Sequence, residues 1–555
     1  MSTERTDYML LGKKSFVTHW LWIAIILTCT SYGTTQPVPS SQQESWTSIF
    51  ERTKNNVVQI FAYGTSYDWM NPYQHGDDFR CRGTGALVSE QGDIYTNFHV
   101  VESANVICIQ HPLLWKEKFE VDFLGASPSC DLAHLRIKPE ELKRLLGMLT
   151  IDRLDYLVFG DSDTMKQGNE IMIIGYPLGD ETIKHSLGTI SGQEYTTVGG
   201  ECFSLDASAY PGNSGGPVVN NRGEIIGFLS AVAQNDNHAV ERISYAIPVN
   251  RLKAIASELE NGTLMRPSWW GLRFAPTTSD TIAYLGCKNE TGIYVAKVAA
   301  SSLADRAGIK EGDIITKVNN FNVDRFGYVM VPWTDYRISF ADILARVKNG
   351  DRVEFVVWRK GKSVTCSVEK CPPSPSEVKN YYLPFENEPA YDVFGGMVFM
   401  EMTRNHIAQF LAAMYDLFPL LPLAEGTAYT QWLEQLKFIV DGDKETPHVI
   451  ITNVFPETEL GKSSMFGPFD CVIKKVNTVS VHTITELQEA IRKGASSGYV
   501  LIETLYGTKA ALPLHKILAQ EKELADKYGY QLSVLTEQLA QAPKTAGRPQ
   551  KAPRP

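Results

Sequence analysis

Three residues, far apart in the chain, are of types that together could do chemistry. His99 lies in Thr96-Asn97-Phe98-His99-Val100-Val101, and Asp131 lies in Ser129-Cys130-Asp131-Leu132-Ala133. Ser214 lies in Pro211-Gly212-Asn213-Ser214-Gly215-Gly216-Pro217. A serine hydroxyl is a weak nucleophile at its own pKa and needs a base to take its proton. Imidazole suits that task near neutral pH. A carboxylate on the far ring nitrogen fixes the tautomer and stabilises the imidazolium. The run around Ser214 holds too much glycine and proline for a helix or a regular strand, so it is a tight turn presenting one hydroxyl. Its glycines let the backbone approach a carbonyl closely and free N–H groups to face a developing oxyanion. Each fragment alone also has an ordinary reading: a core histidine, a turn-capping aspartate, a Gly/Pro loop.

The elements that must position these residues are short strands. Residues 45 to about 255 show apolar or alternating runs at 57–62, 84–88, 93–97, 105–109, 132–137, 170–174, 217–219 and 224–229, with turn residues between them. That pattern predicts an all-β barrel or sandwich of about 200 residues. His99 is expected at a strand end and Asp131 at the start of an apolar strand. The order His, Asp, Ser on a β-rich scaffold is the chymotrypsin-type order.

Several further blocks occur in one order. Phe159-Gly160-Asp161-Ser162-Asp163 precedes Ile174-Gly175-Tyr176-Pro177-Leu178-Gly179, and Leu205-Asp206-Ala207-Ser208-Ala209-Tyr210 leads into the Ser214 turn. Ser244-Tyr245-Ala246-Ile247-Pro248-Val249 follows. With the His99 and Asp131 blocks they resemble the HtrA/Deg serine proteases across the whole barrel region. The resemblance implies a mainly β fold, a chymotrypsin-like double β-barrel protease domain followed by two PDZ (α+β) domains. It assigns Ser214 as nucleophile, His99 as general base and later acid, and Asp131 as orienting carboxylate. The N–H groups of Gly212 and Ser214 would form the oxyanion hole, with Asn213 shaping the turn. Phe98, Ala209 and Tyr210 depart from the family's usual residues. Ser208, Ala209 and Leu229 would line an uncharged S1 pocket for a small to medium apolar side chain. No cofactor and no metal are implied. His75, Asp77 and Asp78 form a polar cluster, but partner ligands do not recur nearby, so a solvated loop is the expected reading. The family assembles as homotrimers or higher oligomers, and Trp46 and Phe50 are candidates for that contact.

Beyond the barrel, 248–259 reads as a short helix and Asn261-Gly262 as a break. Val295–Val323 resembles an HtrA-type PDZ segment, with a helix at Ser302–Ala307 ended by Gly308. Trp269-Trp270-Gly271-Leu272 stands where that domain binds a C-terminal carboxylate, so Trp270, Gly271 and Leu272 are the candidate peptide-binding residues. Two tryptophans packed in a core are the alternative. Val472–Asn477 echoes Ile314–Asn319, an internal repeat that predicts a second, divergent PDZ domain without a clear carboxylate loop. The expected boundaries are 1–33 for a signal peptide or signal-anchor, 34–44 for a linker and 45–258 for the protease domain. PDZ domain 1 is expected at 262–371, a Pro-rich linker at 372–390 and PDZ domain 2 at 391–513. A C-terminal helix is expected at 514–541 and a disordered basic tail at 542–555.

Composition sets the outer limits. At 555 residues the chain exceeds one core. The net charge of −10 and the lack of a long basic block argue against nucleic-acid binding. Nine cysteines are scattered without a CxxC pair, which fits neither a zinc ribbon nor a disulfide scaffold. Lys13 and Lys14, the apolar Trp20–Leu27 and the small residues after it have the order of a secretory signal or membrane anchor. The overall expectation is a periplasmic or envelope-anchored, ATP-independent serine endopeptidase that degrades unfolded or damaged proteins. A PDZ-based holdase or scaffold, and a regulatory protease for one partner, stand as alternatives.

Overall fold

The protein is described by a computed structural model covering residues 44–196, 200–230, 244–260, 263–265, 268–287, 291–372, 389–403, 405–406, 409, 447–463, 465–466 and 470–541. The expected signal segment, most of the stretch between Asn405 and Phe438 that the sequence suggests as a helical insertion into the second PDZ domain, nearly all of the Pro-rich linker and the basic tail lie outside the described residues.

The first six strands are β1 (Val57–Thr65), β2 (Asp78–Leu87), β3 (Asp93–Thr96), β4 (Val106–Gln110), β5 (Phe119–Ser127) and β6 (Leu132–Ile137). They pair in the ring β1-β2-β3-β6-β5-β4, and β4 returns to β1. Closure removes free edges. It also gives Ile60, Leu87, Ile94, Ile109, Phe119 and Leu135 a common interior, in which each is fully buried. A second ring follows from β7 (Glu170–Gly175), β8 (Lys184–Thr196), β9 (Gly200–Leu205), β10 (Pro217–Val219), β11 (Ile225–Ser230) and β12 (Ser244–Pro248). The double barrel expected from the sequence is therefore present. Strands β5, β8 and β9 escaped the sequence reading because their apolar residues are diluted by glycine, serine and charge. Ahead of β1, helix α1 (Trp46–Thr53) is N-capped by the Ser45 hydroxyl, which accepts from Ser48 N–H.

Two α+β units follow. The first sheet runs Leu272–Ala275, Ile293–Val298, Ile314–Val318, Arg352–Arg359 and Lys362–Glu369, with helices at Leu303–Ala307 and Phe340–Arg346. Its Ser302 N-cap and the left-handed Gly308 bound the predicted helix. The second unit repeats the plan. Asn319 and Asn477 both take positive φ, 50° and 48°. Asn319 exchanges bonds with Glu354 through main chain and amide oxygen, and Asn477 does the same with Leu501. The C-terminal stretch is two helices rather than one, Leu514–Tyr528 and Val534–Gln541, because Gly529 takes the left-handed conformation that ends the first. Both pack into the apolar core of the second unit through Leu514, Ile517 and Leu535. All eight described cysteines are free thiols; Cys366 is in the first unit's core, whereas Cys371 lies beside Arg306.

The first α+β unit meets the second barrel through Arg346. Its Nη1 donates to both carboxylate oxygens of Asp163 at 3.0 Å, and its Nε donates to Asp342 at 2.9 Å. The Asp342 side chain is 1% exposed, so it depends on this cation for its charge balance. Arg346→Ala is expected to cost about 2–3 kcal/mol, and Arg346→Lys to recover only part, because an ammonium cannot make the forked contact. Denaturant unfolding of the two variants against the wild-type chain measures this.

Candidate active site

His99 and Asp131 both come from the first barrel, and Ser214 from the second. Strand β3 ends at Thr96, and Asn97 (ψ 148°) turns the chain into the one-turn helix α2, Phe98–Val101. His99 is thus on that helix rather than at a strand end, since Asn97 takes the extended conformation that starts a helix. Phe98, Val100 and Val101 are buried and pin the turn, leaving the His99 ring facing outward. Asp131 stands just before β6, in the left-handed conformation (φ 51°) that aspartate tolerates better than most residues.

The two side chains meet closely. His99 Nδ1 is 2.8 Å from Asp131 Oδ2 and 3.0 Å from Oδ1. The His99 main-chain N–H donates to Oδ1 at 3.0 Å, and Ser230 Oγ donates to Oδ2 at 2.9 Å. Asn97 Nδ2 donates to the Asp131 carbonyl at 3.0 Å. The carboxylate is therefore held from three directions, and its acceptor role obliges His99 Nδ1 to carry a proton. That tautomer leaves Nε2 as the basic nitrogen. Burial opposes protonation of His99, but the hydrogen bond and charge of Asp131 outweigh it and hold the imidazole above its ordinary range. Burial raises the nearby Glu102 carboxyl as well.

The Ser214 turn is packed against both barrels. Gly212 has φ +97° and Gly215 φ +82°. A Cβ on Gly212 would lie 2.4 Å from the Tyr176 carbonyl, and one on Gly215 would lie 2.1 Å from Thr96 Oγ1. The second contact brings the Ser214–Gly215 backbone against Thr96, the last residue of β3. Tyr210–Asn213 closes a turn with proline second and a positive-φ glycine third, with Asn213 N–H donating to the Tyr210 carbonyl at 3.0 Å. Gly215 N–H donates to Leu229 and Gly216 N–H to Asn213, both at 2.9 Å. Among the described residues, no acceptor takes the N–H of Gly212 or of Ser214. These are the two expected oxyanion donors. No hydrogen bond joins the Ser214 hydroxyl to His99 among the described residues.

Other candidates fall unevenly. Ala209 and Leu229 are buried in one apolar cluster inside the second barrel, whereas Ser208 is exposed. The chain after Ser230, where a pocket wall would continue, lies outside the described residues. His75, Asp77 and Asp78 are exposed on the β1–β2 connection. Trp46 donates to Glu170 at 3.2 Å and the Phe50 ring packs on His185 at 4.3 Å. Ser230 and Asn97 were missed as parts of the site. The only signal for Ser230 was a lone hydroxyl ending an apolar strand.

In the first α+β unit, the carbonyls of Trp270 and Gly271 accept from Ala304 and Ala299, at 3.2 and 2.9 Å. The N–H groups of Trp270 and Gly271 have no acceptor among the described residues, and the Trp270 ring packs on Phe355 at 5.6 Å. The ring is core, and the two backbone N–H groups beside it are left without acceptors among the described residues. In the second unit, Phe394-Gly395-Gly396-Met397 takes the same place, since the Gly396 carbonyl accepts from Phe455 as Gly271 does from Ala299. The backbone here holds an internal carboxylate: Gly395 N–H donates to Glu521 Oε2 at 3.0 Å, and Tyr391–Phe394 pairs along Met397–Glu401.

Known proteins match these parts. Residues 83–228 match a trypsin-like peptidase domain and residues 270–369 a PDZ domain. Over these parts the chain is similar to serine proteases of the HtrA/Deg type. A Brucella suis protein named "Probable periplasmic serine endoprotease DegP-like" is 30% identical over 291 residues, covering 52% of each chain. The "Serine protease Do-like HtrB" of Bacillus subtilis is 32% identical over 296 residues, covering 50% of this chain and 58% of that one. The chain thus spans about half the length of the curated relatives it matches. A solved structure, "HtrA-type protease AlgW with tripeptide", is 24% identical, covers 60% of this chain and 98% of that chain, and has a TM-score of 0.47.

A base must be neutral to take a proton, so a raised His99 pKa moves the working range upward. The acid limb of the activity profile is expected to have its midpoint above 6.5. Asp131→Asn removes the raising interactions and supports the wrong tautomer. It is expected to move the midpoint down and to lower kcat by about 10⁴-fold. Rates across pH for both proteins check this.

Proposed function

We propose that this chain is a serine endopeptidase of the HtrA/Deg type that cleaves unfolded or damaged polypeptides without ATP. The observation that carries this is the combination of a base oriented by a buried carboxylate with a serine turn that leaves two specific N–H groups unused. His99 takes the Ser214 proton as Oγ attacks the scissile carbonyl. The oxyanion of the tetrahedral intermediate accepts from Gly212 and Ser214 N–H, the two groups of the turn left without acceptors among the described residues. His99 then returns the proton to the leaving amine, and water resolves the acyl-enzyme by the same route. Ala209 and Leu229, with Ser208 at the rim, favour a small to medium apolar side chain next to the cut.

Peptide capture is assigned to the first PDZ unit. Trp270 and Gly271 offer N–H groups to a terminal carboxylate, Leu272 begins the strand a peptide would extend, and no cofactor takes part. The second unit is assigned to holding the molecule together. Its strand Val449–Val454 meets the β1–β2 connection, with Thr452 Oγ1 donating to the Met70 carbonyl at 2.8 Å and Asn453 to Asn71 at 2.6 Å. Action in the periplasm or on the cell envelope rests on the names of the relatives and on the N-terminal sequence pattern. No helix among the described residues is long and apolar enough to cross a membrane. Assembly through Trp46 and Phe50 into a trimer or higher oligomer remains part of this reading.

Ser214→Ala is expected to lower hydrolysis of denatured casein by at least about 10⁴-fold while leaving thermal unfolding within a few degrees of wild type. Equal cleavage by both proteins would overturn the assignment. Binding to the first PDZ unit is expected for a peptide with a free C-terminal carboxylate and to be lost when that carboxylate is amidated, as read by fluorescence anisotropy on the full-length Ser214→Ala chain.

A further inference from the structure

Four successive peptide carbonyls of the serine turn are each held by a donor. The Pro211 carbonyl accepts from Leu178 N–H at 2.5 Å, and the Asn213 carbonyl from Gly216 N–H at 2.9 Å. The two between and after them are held by one residue. Thr84 Oγ1 donates to the Gly212 carbonyl at 2.7 Å, and Thr84 N–H donates to the Ser214 carbonyl at 2.9 Å. In a trans peptide the C=O and N–H point in opposite directions. Holding the Pro211 and Asn213 carbonyls on one side therefore directs Gly212 N–H and Ser214 N–H to the other. Only one of these four donors is a side chain.

The direction of the Thr84 hydroxyl is fixed by its partners. Tyr176 N–H, which can only donate, reaches Thr84 Oγ1 at 3.1 Å. The Gly212 carbonyl can only accept. The hydroxyl therefore receives from the 174–179 segment and gives to the serine turn, inside a site where Thr84 has no exposed surface. Gly212 itself offers little resistance to rotation. Glycine at the third place of a turn permits either orientation of the Pro211–Gly212 peptide, and a rotated peptide would present its carbonyl where the N–H should be. The turn therefore relies on Leu178 holding that peptide and on Thr84 holding the Gly212–Asn213 peptide next to it.

We propose that Thr84 is a positioning residue for the oxyanion turn, its hydroxyl holding the Gly212 carbonyl and so fixing the Gly212–Asn213 peptide that joins the two peptides bearing the Gly212 and Ser214 N–H groups. Thr84 touches no substrate atom in this role and acts through Gly212. The inference rests on the reading of Ser214 as nucleophile and of Gly212 as an oxyanion donor. It predicts a defect in the transition state rather than in substrate binding, because ground-state contacts lie elsewhere along the cleft.

The test uses the full-length chain with denatured casein as substrate, and Thr84→Val, Thr84→Ala and Thr84→Ser as variants. Valine keeps the shape of threonine and removes the hydroxyl. Both Thr84→Val and Thr84→Ala are expected to lower kcat by about 10²-fold, the loss typical of one oxyanion donor, with KM within about twofold. Thr84→Ser is expected to keep at least about a third of wild-type kcat. Melting temperatures are measured alongside. If Thr84→Val turns over casein at the wild-type rate, or if Thr84→Ser is as impaired as Thr84→Ala, the proposal is overturned. If Thr84→Val does not fold, the contrast between serine and alanine decides. Labelling of Ser214 by a fluorophosphonate probe in the wild type separates the two levels: absence of labelling there refutes the nucleophile, whereas labelled wild type with fully active Thr84→Val refutes only the role of Thr84.

Discussion

The site depends on a lack of space. Tyr210 to Pro217 passes between strands of both barrels so closely that a single added carbon at Gly212 or Gly215 would enter the van der Waals radius of a neighbouring backbone or side-chain oxygen. That squeeze is what two closed barrels provide and an open sheet does not. Strand β2 bears on the turn from one barrel and the 174–179 segment from the other, so the turn is fixed by elements that cannot shift independently. The chemistry then follows from hydrogen-bond accounting. When every carbonyl of a tight turn is taken, the N–H groups left without acceptors are not defects but the donors available to a reacting oxygen.

The division of labour between the barrels has the same origin. His99 and Asp131 share one barrel, where the Asp131 side chain can be buried because the His99 ring, Ser230 and the His99 main chain satisfy it. Ser214 comes from the other, on a turn whose geometry is local. Distances within the His99–Asp131 pair are therefore set by the first barrel's register. The relation of Ser214 to His99 is set by how the barrels abut, through contacts such as Thr84 with Gly212 and Ser214.

What could be read in the residues depended on whether the signal was local. The strands of the first barrel with clean apolar runs were legible, and so were the serine turn, the Ser302–Gly308 helix and the repeat of Ile314–Asn319 at 472–477. Each is a short-range pattern with one physical cause. Strands β5, β8 and β9 were not legible, because ring closure rather than composition makes them strands. Thr84 was read only as part of a strand. A polar residue between Gly83 and Gly85 marks a place where another backbone comes close, yet nothing in the sequence says which one. Ser230 and Asn97 share that limitation, since their partner is more than thirty residues away in the chain.

The two α+β units show how one local geometry can be put to opposite uses. Both place a glycine carbonyl on the same internal N–H, which turns the preceding loop amides outward. In the first unit those amides have no acceptor among the described residues. In the second, the Glu521 carboxylate accepts from Gly395, and the Tyr530 hydroxyl donates to the same carboxylate at 3.0 Å. Burial pushes the Glu521 carboxyl up to about 7, a penalty that these two donors offset only in part. A group so poorly solvated persists because the helix carrying it is anchored by Leu514, Ile517 and Leu524. The loop's demand for a carboxylate is thus met from within the chain, while Tyr391–Phe394 fills the strand edge beside it. Packing has made part of the core in the second unit out of a backbone arrangement whose amides the first unit leaves without acceptors among the described residues.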